Sequence, residues 1–218
     1  MLERGAKEMN APLTEAQVQQ LDRFANLIEK WNKGMNLVSR QDIQRLVPRH
    51  LLDSLAAVPH IDGNTLLDVG TGPGLPGIVL AIAKPEVSVT LWERMARRVR
   101  FLQLACRELG LSNVQVQEQD LYEKDPLAAS GPFDAIVARA VAPVESLWPV
   151  LEQYLSARGQ LIVYSHVAGP DREHTESPQV GGLVEYPYQV PGLTHEHFLQ
   201  LVPKNAGLGK PASINVRR

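Results

Sequence analysis

Residues 65–82 read TLLDVGTGPGLPGIVLAI, and this stretch decides the fold. A short apolar run, 65–69, stops at a glycine-rich loop, and an apolar helical pattern starts at Ile78. Strand, glycine loop and helix in that order open a parallel α/β sheet. Downstream the alternation continues. Strands are expected at 87–92, 114–117, 133–138 and 159–164, with helices at 94–109 and 144–156 between them. Apolar strands separated by helical patterns imply a mostly parallel sheet covered on both faces. The end differs: 183–190 and 198–203 are strand-like with PGLTHEH between them, which predicts an antiparallel C-terminal edge. Segment 165–182, with Gly169, Pro170, Pro178, Gly181 and Gly182, reads as a mobile loop.

Upstream of residue 60 nothing reads as a strand. Residues 14–33 have helical spacing through Leu21, Phe24, Ile28 and Trp31. Thr14 and Gln17 are spaced as a capping box, Leu13 and Val18 as its hydrophobic staple, and Gly34 is placed as the C-cap. A second helix is expected over about 42–58, with Ile43, Leu46, Val47, Leu51 and Leu55 on one side and Pro48 near its start. The expected organisation is a helical N-terminal extension, 1–60, followed by the α/β domain, 61–218.

The 218 residues are 44% hydrophobic and 21% charged, the composition of a soluble globular chain. No apolar run approaches the roughly 20 residues that cross a bilayer, and the first residues, with Glu3, Glu8 and Glu15, lack a signal peptide's apolar core. A cytoplasmic protein is expected. One cysteine, Cys106, excludes a disulfide framework and a multi-cysteine zinc site, and it falls on the apolar face of helix 94–109. A net charge of −2 does not mark the whole chain as a nucleic-acid binder. Arg94, Arg97, Arg98, Arg100 and Arg107 nevertheless crowd one helix, and Lys204, Lys210, Arg217 and Arg218 lie near the end with no acid among the last 22 residues. Charge alone leaves a local nucleic-acid surface and a solvated helix face equally open.

Gly72, Gly74 and Gly77 satisfy G-x-G-x-x-G after a strand and before a helix. Glu93, ending the second strand, is placed to hold ribose hydroxyls and suits NAD and S-adenosylmethionine equally. The residues around the glycines separate the two. A dinucleotide pyrophosphate wants backbone N–H donors and a positive helix end. Asp68 would oppose it, and Pro73 and Pro76 remove two donors. S-adenosylmethionine carries an ammonium and a sulfonium, which an acid suits. Gly70, Gly72 and Gly74 would let the backbone approach such a ligand where a Cβ would obstruct it. Past the third strand, Asp120 would accept from the adenine amino group or else cap a turn. His195 and His197 alternate on one strand without a third ligand, so no metal site is expected.

Five segments together carry a resemblance: WNKGMNLVS (31–39), RHLLDSL (49–55), DVGTGPGLPGIVLAI (68–82), RRVRFL (97–102) and ARAVA (138–142). The chain resembles the bacterial small-subunit ribosomal RNA guanine-N7 methyltransferase G family (RsmG, glucose-inhibited division protein B) from about residue 20 to residue 203. The resemblance implies a Rossmann-like class I S-adenosylmethionine-dependent methyltransferase with a helical extension. It implies methyl transfer to N7 of one guanine in the decoding region of 16S ribosomal RNA, free or in the small ribosomal subunit. It also implies that Gly70 and Leu75 contact the cofactor, that Leu121 and Tyr122 flank the adenine, and that Arg139 reaches the site. Two departures stand out: Asp120-Leu121-Tyr122 where relatives often show Arg, a small apolar residue and Glu, and Ser165 to Gly169 where they often show Lys-Gly.

Guanine N7 offers a lone pair and no proton, so its methylation needs positioning rather than a general base. No catalytic base is therefore assigned. Arg139, following the buried run FDAIVA at the edge where α/β sheets bind ligands, is the expected positioner of substrate or cofactor. Its alternative is a salt bridge to a nearby acid such as Asp68 or Glu93, and the two roles can coexist. Arg49, His50, Arg97 and Arg98 are the expected RNA contacts, with a capping or core role the alternative for His50. The enzyme is expected to be a monomer. Competing readings are a methyltransferase for another substrate, a cofactor-binding RNA module without turnover, and a nucleotide-dependent oxidoreductase, against which Asp68 argues.

Overall fold

The structure, a computed structural model, describes residues 1–122, 131–165 and 180–205. Seven strands form one sheet in the order β3-β2-β1-β4-β5-β7-β6. They are β1 (Thr65–Val69), β2 (Ser88–Glu93), β3 (Val114–Glu118), β4 (Phe133–Arg139), β5 (Leu155–Ser165), β6 (Val184–Gln189) and β7 (Glu196–Pro203). The first five pair in parallel, and β7 runs antiparallel to both β5 and β6. This is the expected mostly parallel sheet with an antiparallel C-terminal edge. The pleat of β1 sorts its side chains: Leu66 joins the core under the N-terminal helices, and Leu67 and Val69 the core on the other face. Asp68 shares the face of Leu66, and that places it beneath the helix that follows.

Helices α5 (Gly77–Ala83) and α6 (Ala96–Leu109) cover one face, and α7 (Val144–Leu151) the other. The long N-terminal helix α2 (Glu15–Met35) buries Leu21, Phe24 and Ile28 completely in the core it shares with α5 and α6. Each such side chain contributes about 1.5–3 kcal/mol. The capping box forms: Gln17 N donates to Thr14 Oγ1 at 3.3 Å, and Thr14 N to Gln17 Oε1 at 2.8 Å. Gln17 Nε2 then donates to the carbonyls of Ile82 (2.8 Å) and Ala83 (3.1 Å), and Gln20 Nε2 to that of Leu109 (3.0 Å). The half-buried amides of α2 thus satisfy orphan carbonyls at the ends of α5 and α6.

Several sequence expectations need correction. The C-cap of α2 is Asn36, in the left-handed conformation at φ 49°, two residues beyond Gly34. A single helix over 42–58 does not form. It breaks into α3 (Arg40–Ile43), a π-helical turn (Val47–Leu52), α4 (Asp53–Leu55) and a 3-10 turn (Val58–His60). Pro48 and Pro59 lack the N–H a continuous α-helix needs. An unforeseen α1 (Leu2–Glu8) packs Leu2, Gly5 and Ala6 inward, and a Cβ on Gly5 would lie 2.7 Å from Leu52 Cδ1. Helix α7 stops at Leu151, and β5 starts at Leu155 with a register shift near Phe133. Most of the loop expected at 165–182 lies outside the described residues, as do Lys210, Arg217 and Arg218.

Candidate active site

The loop between β1 and α5 is organised from below by one carboxylate. Asp68 is completely buried, and its Oδ2 accepts from Thr71 Oγ1 at 2.5 Å and from Gly77 N at 2.7 Å. The bond to Gly77 satisfies a first-turn donor of α5. Oδ1 has no partner among the described residues and is closed to solvent. Burial, against the two hydrogen bonds, pushes the Asp68 carboxyl up to about 7. The loop backbone makes a left-handed passage at Gly70, Gly72 and Gly74, with φ of 65°, 59° and 96°. A Cβ on Gly72 would meet nothing nearer than Gly70 O at 4.0 Å, so the space above this residue is open.

Glu93, at the C-terminal end of β2, closes the loop from the side. Its Oε2 accepts from Gly72 N at 3.0 Å and its Oε1 from Met95 N at 2.8 Å. Arg98 Nη1 stands 3.8 Å from the same carboxylate. Beyond Glu93 lies an open cavity of about 760 Å³ bounded by Arg94, Met95, Gln119, Asp120 and Tyr122. Met95 and Tyr122 present exposed apolar surface there, 47% and 62% accessible. Asp120 Oδ1 accepts from Tyr122 N at 3.1 Å, and its Oδ2 is 3.7 Å from Arg94 Nη1. Leu121 packs with the core beneath α7, and Leu75 is buried in the other core.

A second cluster sits at the same edge, at the end of β4. Arg139, expected as a positioner with a salt bridge to a nearby acid such as Asp68 or Glu93 as the alternative, does form a salt bridge, but its acid is Asp53, Nη1 to Oδ2 at 3.0 Å. The correction is geometric: α4 brings Asp53 across the strand end. The other oxygen of Asp53 accepts from Tyr188 Oη at 2.8 Å and lies 3.0 Å from His197 Nδ1. Burial raises the Asp53 carboxyl, but the His197 hydrogen bond, the Arg139 charge and the Tyr188 hydroxyl outweigh it and hold the group below its usual range. Arg139 Nη2 also lies 3.2 Å from His50 Nδ1. A guanidinium only donates, so Nδ1 accepts and the proton sits on Nε2. Burial, with Arg139 adding to it, pulls the His50 imidazole down to about 4, so the ring is neutral near pH 7. Tyr164 Oη donates to Ser54 O at 2.6 Å and Ser54 Oγ to His50 O at 2.6 Å, tying this turn to β5.

Arg49 pairs with Asp42 at 2.9 Å, and Arg97 donates to the carbonyl of Gly34 at the end of α2. The expected contacts therefore divide. Asp68, Gly70, Gly72, Gly74, Glu93 and Asp120 surround one edge of the cleft, and His50 and Arg139 meet at the other. Asp53, Tyr188 and His197 escaped the sequence reading as site residues. The one signal for Asp53 was an acid set among the apolar residues of RHLLDSL. Among the described residues, no group of three or more His, Cys, Asp or Glu could hold a metal ion.

Residues 17–196 match the family described as GidB, rRNA small subunit methyltransferase G. The chain belongs to that family. A Ribosomal RNA small subunit methyltransferase G from Serratia proteamaculans (strain 568) is 38% identical over 203 residues, covering 91% of this chain and 96% of the relative. The protein of that name from Klebsiella pneumoniae (strain 342) is 37% identical over 206 residues, 94% of this chain and 98% of the relative. A solved S-adenosylmethionine-dependent methyltransferase from Aquifex aeolicus shares the fold at a TM-score of 0.52 and 17% identity, over 76% of this chain and 98% of that one. The chain thus belongs to a methyltransferase family and has a Rossmann-like fold, and the cofactor that its sequence leads one to expect is S-adenosylmethionine. The site fits that group: Gly72 leaves open the space a Cβ would take, and the unpartnered Asp68 Oδ1 marks a carboxylate with acceptor capacity beneath it. Gly70, Gly72, Glu93 and Asp120 would hold it. When bound, it supplies an electrophilic methyl on a sulfonium.

Proposed function

We propose that this methyltransferase modifies N7 of one guanine in 16S ribosomal RNA, acting in the cytoplasm as a single chain on the RNA or on the small ribosomal subunit. The observation that carries the reading is the state of the acids at the sheet edge. Asp53 is engaged by three side-chain donors and Glu93 by two backbone N–H groups, Asp68 is bonded by Thr71 and Gly77 with its second oxygen closed to solvent beneath the loop, and Asp120 is held by Tyr122 N and pairs with Arg94. Methylation of an exocyclic amine would need a base free to take a proton. N7 brings its own lone pair, and positioning plus exclusion of water suffice. Arg139, with a side chain 10% accessible, is the fixed cation at this edge and takes the positioning role.

The division into a helical extension, 1–60, and a methyltransferase domain, 61–218, belongs to the same proposal. It is supported by the element order, with only helical elements before residue 60 and the first strand beginning at Thr65. No helix among the described residues is long and apolar enough to cross a membrane. The near-neutral charge favours an assembled subunit, whose proteins could share in recognition. The test uses small subunits from cells lacking the protein, radiolabelled S-adenosylmethionine and mapping of 7-methylguanosine. One labelled guanine in 16S RNA is expected. Cofactor binding without transfer would make the chain a non-catalytic module, and label on another molecule would replace the substrate.

A further inference from the structure

Beside the Arg139 cluster is a cleft of about 440 Å³ that the chemistry above does not use. It lies between residues 41–49 of the helical segment and the turn joining β6 to β7. Packing fixes both walls. Gly192, at φ 91°, comes so close to the π-helical turn that a Cβ on it would lie 3.6 Å from Pro48 Cβ. The next residue, Leu193, packs against the main core. The turn is therefore seated on the helical segment, and the concavity between them is part of the fold.

Among the described residues, the charges lining this cleft do not cancel. Its acid, Asp42, is paired with Arg49 at 2.9 Å and accepts from Ser39 Oγ at 2.6 Å. The Ser39 hydrogen bond outweighs burial, with Arg49 adding to it, and holds the carboxyl below its usual range. Arg45 is exposed and makes no ion pair among the described residues. The hydroxyl of Thr194 and the imidazole of His195, both exposed, add donors on the opposite wall. One unbalanced guanidinium lining the same preformed hollow as a hydroxyl and an imidazole suits a single tetrahedral anion. The position gives its source. Arg49 precedes His50, which touches Arg139, and His197 lines the cleft while bonding Asp53. The cleft therefore adjoins the residues around Arg139, where the base is proposed to be positioned.

We infer that Arg45, with Thr194 and His195, forms a subsite for a backbone phosphate of the substrate RNA flanking the methylated nucleotide. This rests on the ribosomal RNA reading above. The experiment compares the parent chain with Arg45→Gln and Arg45→Lys. Anisotropy of a fluorescent 16S fragment between 50 and 200 mM salt gives the salt slope, and methyl transfer to unmodified small subunits gives KM and kcat. For Arg45→Gln the slope of log Kd against log salt is expected to fall by about 1, one phosphate contact. KM for subunits should rise by roughly five- to tenfold, with kcat at saturation and S-adenosylmethionine affinity unchanged. Arg45→Lys should recover most of the slope. A slope and KM equal to the parent's in Arg45→Gln overturn the subsite. Competition by inorganic phosphate beyond chloride of equal ionic strength, lost in Arg45→Gln with KM unmoved, would make it a free-anion site and overturn the RNA assignment. If the parent transfers no methyl to subunits, the proposed function fails, and the anisotropy slope still decides the subsite.

Discussion

The glycine loop and the Asp53 cluster occupy the same edge of the sheet but are built in opposite ways. Every polar contact of the loop joins residues within about one βαβ unit: Asp68 to Thr71 and Gly77, Gly72 to Glu93. Asp53 collects Arg139, Tyr188 and His197 from 86, 135 and 144 residues away. The loop leaves space above its backbone for a ligand, whereas the cluster fills its space with side chains. One region is shaped to bind and the other to hold the helical segment, the sheet edge and Arg139 in a fixed relation.

The largest expected effect breaks the cluster. Asp53→Ala leaves the Arg139 guanidinium buried without its counter-ion, and removal of one partner from a buried pair costs about 3–5 kcal/mol. Urea denaturation should show that loss, while the molecules still folded bind S-adenosylmethionine with full stoichiometry. A loss below about 1 kcal/mol would mean that Arg139 is not held as described. The loop should respond differently at two neighbouring glycines. Gly72→Ala places its Cβ in open space, so stability should fall by only about 1–2 kcal/mol for the left-handed backbone, while calorimetry should show cofactor affinity at least tenfold weaker. Gly77→Ala drives its Cβ into Leu91 Cδ2 and to 2.6 Å from Asp68 Oδ2, an overpacking worth about 1–3 kcal/mol of stability. Equal cofactor loss in both variants would contradict an open cradle at Gly72.

The same contrast explains what the sequence revealed. The loop was legible because its chemistry is consecutive: glycines, two prolines and an acid in ten residues fix a backbone path and its polarity. Strand order followed from alternation, and the capping box of α2 from a four-residue spacing. The partner of Arg139 was not legible, because nothing in FDAIVAR says which distant acid crosses the strand end. Asp68 and Glu93 were nearer in sequence than Asp53, yet both are engaged by loop backbone. The single helix expected over 42–58 failed for a local reason that outweighed periodicity, the missing N–H groups of Pro48 and Pro59. The π-helical turn there sets Arg49 toward Asp42 and His50 toward Arg139, which heptad-like spacing could not distinguish.

The smallest effects are also the sharpest test of the difference, since the two regions have opposite pH dependences. Asp68 is raised to about 7 in the folded chain from its ordinary value of 3.8. Between those values the folded state holds a proton that the unfolded state has released, so this group lowers stability as pH rises, by at most about 1.4 kcal/mol per pH unit. His50 is lowered to about 4 from 6.5. Between those values the unfolded state holds the proton, so His50 raises stability with pH at the same limiting slope. His60, lowered by burial, adds to the second trend. Asp42, Asp53 and Asp134, all held below their usual range, contribute losses only below about 3.8. From about pH 4.5 to 6 the Asp68 and His50 slopes therefore oppose each other in the parent. Asp68→Asn should expose the rise with pH and His50→Gln the fall, their slopes differing by about 2.7 kcal/mol per pH unit, twice the single-proton limit. Urea denaturation at three pH values in that window measures both. Identical slopes in the two variants would mean that loop and cluster do not carry the opposite protonation states their burial dictates.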